Sequence, residues 1–166
     1  AIEGVSRLSS DGTTLIGLHG TFGEDGQLQE LLDEAHIKYT GTGKTASENA
    51  FDKEKAQKIY EKSGLPVPKS EILTDEGGEI TLELPFVVKP VSQGSSVGVS
   101  ICKQEDDIQP ALEKAFDHDN KVMVQQFVSG PEISCGVIEN PNPKPLTPTE
   151  IIPKTDFYDY EAKYSQ

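Results

Sequence analysis

The sequence has no tryptophan, one methionine, two cysteines and three histidines in 166 residues. Two cysteines cannot build a disulfide scaffold. Cys102 and Cys135 each sit in a strand-like run, VGVSICK and EISCGVIE, and are expected as buried thiols in a reducing, cytoplasmic compartment. His19, His36 and His118 are too scattered to read as a local metal motif. No apolar run approaches the ~20 residues of a membrane span, and no signal peptide is recognised at the start. Positive charge is also scarce: Lys+Arg number 15 against 28 Asp+Glu, a formal charge of −13. Both nucleic acid and an anionic membrane repel such a surface, so neither is expected as a partner. The 34% hydrophobic content is globular rather than disordered, and the length suits one domain or two small ones. The chain opens at Ala1 without methionine and stops at Gln166 just after FYDYEAKYS, so the reading is of a fragment cut at both ends.

Two patterns follow one another along the chain. TLIGL (14–18) reads as a short buried strand, HGTFGEDG (19–26) as a loop, and Leu28, Leu31, Leu32 and Ala35 as one apolar helical face. IKY (37–39) is the next strand, so 14–39 is expected as a parallel strand–helix–strand unit with a right-handed crossover. GTGK (41–44) is a loop. DKEKAQKIYEKSG (52–64) predicts a helix with Ala56, Ile59 and Tyr60 inward and Gly64 as a left-handed cap; Pro66 and Pro68 forbid its continuation. SEIL (70–73), PFVVK (85–89), VGVSIC (97–102) and KVMVQQF (121–127) are β-rich. Between the last two, 105–118 reads as a helix starting near Asp106 or Asp107, with Leu112, Ala115 and Phe116 on one face. PEISCGVIEN (131–140) reads as a strand, PNPKP (141–145) as a turn, and 149–152 as a further strand. An antiparallel α+β unit over 51–123 therefore follows the α/β unit.

GTGKT (41–45) lacks the phosphate-loop pattern, because Lys38 stands where the first glycine is required; it reads as a glycine turn. VVKPVSQGSSVGVS (87–100) is richer. Gly94, Ser95, Ser96 and Gly98 offer close backbone approach and hydroxyl donors to an anion. Lys89 is the one charge in an apolar run and needs a partner, which a nucleotide phosphate or an edge position would supply. From Leu84 to Gln104 there is no carboxylate in 21 residues, where simple proportion predicts about 3.5. In VMVQQFVSGPE (122–132), Glu132 just past a strand-linker is placed either to bind a ribose diol or simply to sit at a surface turn. FYDYEAKY (157–164) has no helical or strand period and reads as an aromatic loop, closing over a ligand or packing on another part of the protein.

Together LHGTFGEDG (18–26), YTGTG (39–43), DK (52–53), GLPVP (64–68), FVVKPVSQGSSVGVS (86–100), AFDHD (115–119), SGPEI (129–133) and FYDYEAKY (157–164) resemble the D-alanine–D-alanine ligase family of ATP-grasp enzymes. The resemblance implies a truncated α+β ATP-grasp fold preceded by the remnant of a parallel α/β domain. Residues 1–44 would be that remnant, 45–123 the small lobe, and 124–166 the start of the large lobe with its mobile loop. It implies ATP and Mg²⁺ as cofactors and two D-alanine molecules as substrates for peptidoglycan precursor synthesis. ATP phosphorylates the carboxylate of one D-alanine, and the amine of the second displaces phosphate.

By the same resemblance Lys53 and Lys89 match lysines on the ATP phosphates. Ser95, beside Ser96, matches the serine linking the first substrate to the tyrosine loop. Gln125, Gln126, Phe127 and Val128 match the hinge that reads adenine, and Glu132 the ribose acid. Lys163 matches the lysine that reaches the γ-phosphate, and Tyr164 its neighbour. His19 and Glu24 line the first-substrate side. Gln125 stands where the family usually has an acid. The phosphoryl-stabilising arginine and the Mg²⁺ ligands are expected beyond Gln166, so this chain alone is expected to be inactive. The residues 153–166 are expected as a lid over the nucleotide. A sister ligase making D-Ala–D-lactate or D-Ala–D-serine, and a non-catalytic ATP-binding module, are the competing readings. Oligomeric state is not legible, and a homodimer stays open.

Overall fold

A computed structural model describes residues 11–139 and 141–152. The chain divides into two compact units, cut between Phe127 and Val128. The first opens with β1 (Thr13–Thr14) and β2 (Lys38–Tyr39), a short parallel pair joined through α1 (Gln27–Glu34). Leu28 and Leu32 of α1 and Ile37 form a small apolar cluster, with Ile16, Phe22, Leu31 and Tyr39 packed against it. The expected parallel unit is present, but the TLIGL run is not a buried strand. Only Thr14 of it pairs, and Leu15 is 79% exposed. One helix covers one side chain of the run and leaves its neighbours to solvent.

The GTGKT segment contains a helix that its sequence did not announce. Gly41 turns the chain at φ 97°, and α2 (Lys44–Phe51) begins directly after Gly43. Lys44 pairs with Glu30 of α1, so its ammonium ion already has a carboxylate partner. Next comes α3 (Lys53–Lys62). The Asp52 carboxylate caps it by accepting from the Lys55 N–H at 2.9 Å. At its far end the Gly64 N–H reaches Glu61 O and the Leu65 N–H reaches Tyr60 O, each at 3.0 Å, closing the helix around the left-handed glycine as expected.

The main sheet has the order β3 (Ser70–Leu73), β6 (Val122–Gln126), β4 (Phe86–Pro90), β5 (Ser100–Cys102), with every neighbouring pair antiparallel. Phe86 opposes Cys102 and Val88 opposes Ser100, which is the pairing expected of those two runs. The second run is shorter than its composition suggested, because Val97–Val99 belong to the turn of the serine loop. Period-two alternation then sorts the side chains. Phe86, Val88, Val122 and Val124 form one core with Leu112 and Ala115 of α4 (Ile108–Phe116), which follows a short 3₁₀ turn at Glu105–Asp107. Burial of each such side chain stabilises by about 1.5–3 kcal/mol. Lys89, Met123 and Gln125 alternate with these residues and line the cavity that α3 borders. Cys102 is buried, and burial with the nearby Asp107 charge pushes its thiol up to about 11.

In the second unit β7 (Glu132–Ser134) pairs antiparallel with β10 (Thr149–Ile151), and β8 (Val137–Glu139) with β9 (Pro143–Pro145). The single strand expected over 131–140 is therefore two. PNPKP is partly strand, because its prolines sit on an edge where no donor is needed. Cys135 falls in the break between β7 and β8 and is exposed, not buried. Among the described residues no helix is long and apolar enough to cross a membrane.

Candidate functional site

A cavity of about 310 Å³ opens between α3 and the main sheet, lined by Lys53, Ala56, Gln57 and Tyr60 of α3, Lys89 of β4, and Met123 and Gln125 of β6. Its location follows from local rules. Asp52 starts α3, so Lys53 takes the first helical position, and its otherwise unpartnered N–H donates to Val91 O at 3.1 Å. Gln57 lies four residues on and shares its helical face. Lys89 is the fourth of the five residues of β4, and its neighbours Val88 and Pro90 are buried on the opposite side.

The two ammonium groups are held by neutral oxygens. Lys53 Nζ donates to Gln93 O at 2.6 Å and Val91 O at 3.2 Å. Lys89 Nζ donates to Gln125 Oε1 at 2.6 Å. Among the described residues neither forms an ion pair, whereas Lys44, Lys58 and Lys121 all pair with glutamates. Burial lowers Lys53 to about 8, the Lys89 charge adds to this, and Asp119 and Asp52 oppose it. Burial also lowers Lys89. Two partly desolvated cations facing one cavity without a carboxylate partner suit a polyanion, and a nucleotide's phosphates fit that description.

The serine loop lies next to this cavity through Lys53. Ser95 and Ser96 both adopt positive φ, 53° and 60°, a conformation that costs non-glycine residues and is found where surrounding contacts impose it. The residues just before the two serines are tied to the loop after α4. The Asp119 carboxylate accepts from the Ser92 N–H at 2.6 Å, and Gln93 Nε2 donates to His118 O at 3.0 Å. Gly98, at φ 69°, has no room for a side chain: a Cβ there would lie 2.7 Å from Pro90 Cγ and 2.9 Å from His118 Cδ2. On the other side of the loop, Glu24 accepts from the Gly20 N–H at 2.7 Å, and His19 Nδ1 stands 3.7 Å from its carboxylate. His19 and Glu24 are thus brought together.

The structure joins Lys53, Lys89 and Gln125 in one cavity. Gln126 and Phe127 continue the strand beyond it and are exposed. Val128 and Glu132 belong to the second unit, where both are exposed. Lys163 and Tyr164, with the rest of the expected lid, lie outside the described residues. Ile59 and Tyr60 are not inward: they are 42% and 47% exposed, and Tyr60 borders the open cavity. Gln57, Gln93 and Asp119 were not singled out from sequence. The helical spacing from Lys53 was a signal for Gln57; the other two depend on a long-range fold contact. Among the described residues there is no group of three His, Cys, Asp or Glu side chains placed to hold a metal, so the Mg²⁺ implied by the resemblance has no donor set among them.

Comparison with known proteins identifies the family and the fold. A family model described as D-ala D-ala ligase C-terminus matches residues 59–166. A D-alanine–D-alanine ligase of Citrifermentans bemidjiense is 45% identical over 152 residues, covering 90% of this chain and 48% of that protein. Among solved structures, D-alanyl-alanine synthetase A of Vibrio cholerae superposes with a TM-score of 0.77 at 31% identity, over 92% of this chain and 49% of that one. The VanG D-Ala:D-Ser ligase of Enterococcus faecalis superposes with a TM-score of 0.80 at 32% identity, over 93% and 47%. The chain spans about half the length of the curated relatives it matches. With a family model matching residues 59–166 and relatives more than 40% identical over 90% of its length, the chain belongs to the D-alanine–D-alanine ligase family, whose α+β ATP-grasp fold it has in part.

Proposed function

We propose that the protein to which this chain belongs joins two D-alanine molecules in an ATP-dependent reaction, supplying a dipeptide for peptidoglycan synthesis in the cytoplasm. The observation that carries the reading is the pair Lys53 and Lys89, two cations on one cavity that form no ion pair among the described residues. ATP, when bound, supplies the phosphoryl group that activates the carboxylate of the first D-alanine. Lys53 and Lys89 hold its phosphates, and the hinge Gln125–Val128 holds the base with Glu132 on the ribose. Ser95, with Ser96 beside it, positions the first D-alanine from the loop, and His19 and Glu24 bound that side. The amine of the second D-alanine then attacks the acyl carbon, the C–O bond to phosphate breaks, and the amine loses a proton. Lys163 and Tyr164 are assigned to a lid that excludes water, which matters because an acyl phosphate hydrolyses on contact with it. Residues 1–44, 45–123 and 124–166 are assigned to the α/β remnant, the small lobe and the start of the large lobe.

The test assays the intact protein with MgATP and D-alanine, following phosphate release and dipeptide together. The expected outcome is one phosphate per D-alanyl-D-alanine. Preferred incorporation of D-serine or D-lactate would assign a sister ligase. ATP binding without phosphate release would overturn the enzymatic reading.

A further inference from the structure

A chain of hydrogen bonds leads away from Lys89, and its direction is forced from both ends. An ammonium group only donates, so Gln125 must turn its oxygen toward Lys89, at 2.6 Å. Its amide nitrogen is then committed to donating to Gln57 Oε1, at 2.9 Å. Gln57 in turn donates from Nε2 to Pro68 O at 3.0 Å, and also reaches Glu61 Oε1 at 3.3 Å. The Pro68 carbonyl only accepts. Each amide therefore has one working orientation. The chain runs from β4 through β6 and α3 to the linker after α3, and Lys89, Gln125, Gln57 and Pro68 all line the same cavity.

The relay delivers no net charge to Lys89. A carboxylate in contact with the ammonium would satisfy it; an amide oxygen fixes its place and leaves most of its charge for an incoming anion. We propose that Gln57, acting through Gln125, is a positioning residue for the Lys89 ammonium, and that this neutral relay sets the affinity of the cavity for a nucleoside triphosphate. The inference rests on the reading of the cavity as the ATP site.

Donor and acceptor rules give it a sharp consequence. Gln57→Lys puts a donor where the Gln125 amide needs an acceptor. Gln125 cannot then offer oxygen to both ammonium groups without losing the use of its own donor. Adding Gln125→Glu supplies two acceptor oxygens, one for each cation; because the charge added at 57 offsets the charge added at 125, the connection is rebuilt and the group keeps the parent's net charge.

The experiment titrates ATP directly into the intact protein and measures steady-state kinetics and thermal unfolding in parallel. Gln57→Leu is expected to raise Kd and KM for ATP about tenfold while kcat stays within about twofold of the parent. Gln57→Lys is expected to be weaker still, and Gln57→Lys/Gln125→Glu to recover most of the parent's affinity. If the parent binds no ATP, the site reading fails and the relay with it. If the parent binds ATP but Gln57→Leu keeps its affinity, or the double variant binds no tighter than Gln57→Lys, the relay is overturned while the site stands. A role confined to stability would lower the melting temperature of Gln57→Leu without moving Kd, and that outcome also overturns it.

Discussion

The cavity and the outer faces of the helices use lysine in opposite ways. On the outside, Lys58 and Lys121 both reach Glu54, and Lys44 reaches Glu30 and Glu48. Inside, among the described residues, Lys53 and Lys89 donate to carbonyl and amide oxygens. A chain with a formal charge of −13 has carboxylates to spare, so the absence, among the described residues, of one in contact with either ammonium group is informative; Asp119 and Asp52 act on Lys53 only from a distance. Exposed ion pairs contribute little, because solvent screens them and the long side chains lose freedom. A desolvated cation without a counter-ion is costly, and the cost is recovered when a ligand supplies the anion. The difference separates lysines paired with carboxylates from lysines left open to the proposed ligand.

The largest effect should come from Lys89→Met. ATP affinity should fall roughly 10- to 150-fold, as expected from losing a charge-assisted hydrogen bond of ~1.5–3 kcal/mol. The melting temperature should stay level or rise, because the variant no longer carries a partly buried charge. Calorimetric titration and thermal unfolding of the same preparation check both; unchanged affinity would erase the contrast between the two kinds of lysine.

A smaller effect is expected from pH. Lys53 releases its proton near pH 8, so ATP affinity should decline as pH rises through that value, by at most about tenfold per unit for one proton. Lys53→Arg keeps its charge and should flatten the profile between pH 7.5 and 9.5, leaving the contribution of Lys89. The sign for stability is opposite. Without nucleotide, the unfolded lysine binds its proton up to about 10.5 while the folded one releases it near 8, so stability should rise with pH through that window. Direct titrations and urea unfolding at a series of pH values separate the two trends. The smallest effect belongs to Lys58→Ala, which should leave both ATP affinity and melting temperature at the parent's values. A large loss of affinity there would show that the outer charges also serve the cavity.

What could be read in advance divides along the same line. The apolar run FVVK read as a strand with Lys89 as its conspicuous charge, and its antiparallel pairing with the run 97–102 followed from two apolar runs around a small-residue loop; which of its side chains face the core came only with the sheet. The helix at 44–51 was hidden because KTASENAF has only a weak apolar stripe, and a single buried side chain, Ser47, anchors it. Ile59 and Tyr60 looked inward on periodicity alone, but periodicity reports which side chains share a face and not whether anything covers that face. Cys135 was misjudged for a related reason: the break between β7 and β8 comes at a position where composition is still strand-like. The Lys89–Gln125–Gln57 connection needs three elements in place, and no local pattern encodes it.

The order of the main sheet also bears on how the protein is made. Only β4 and β5 are neighbours both along the chain and in the sheet; β3 waits for β6, with Ser70 opposite Gln125. A nascent chain leaving the ribosome must therefore carry SEIL unpaired until Gln126 has cleared the exit tunnel, and pairings of such long separation form slowly and leave aggregation-prone edges in the interval. When β6 arrives it inserts between β3 and β4. That one insertion brings Gln125 to Lys89 in the same motion that brings Val122 and Val124 to Phe86, so a half-synthesised chain has neither the core nor the binding cavity.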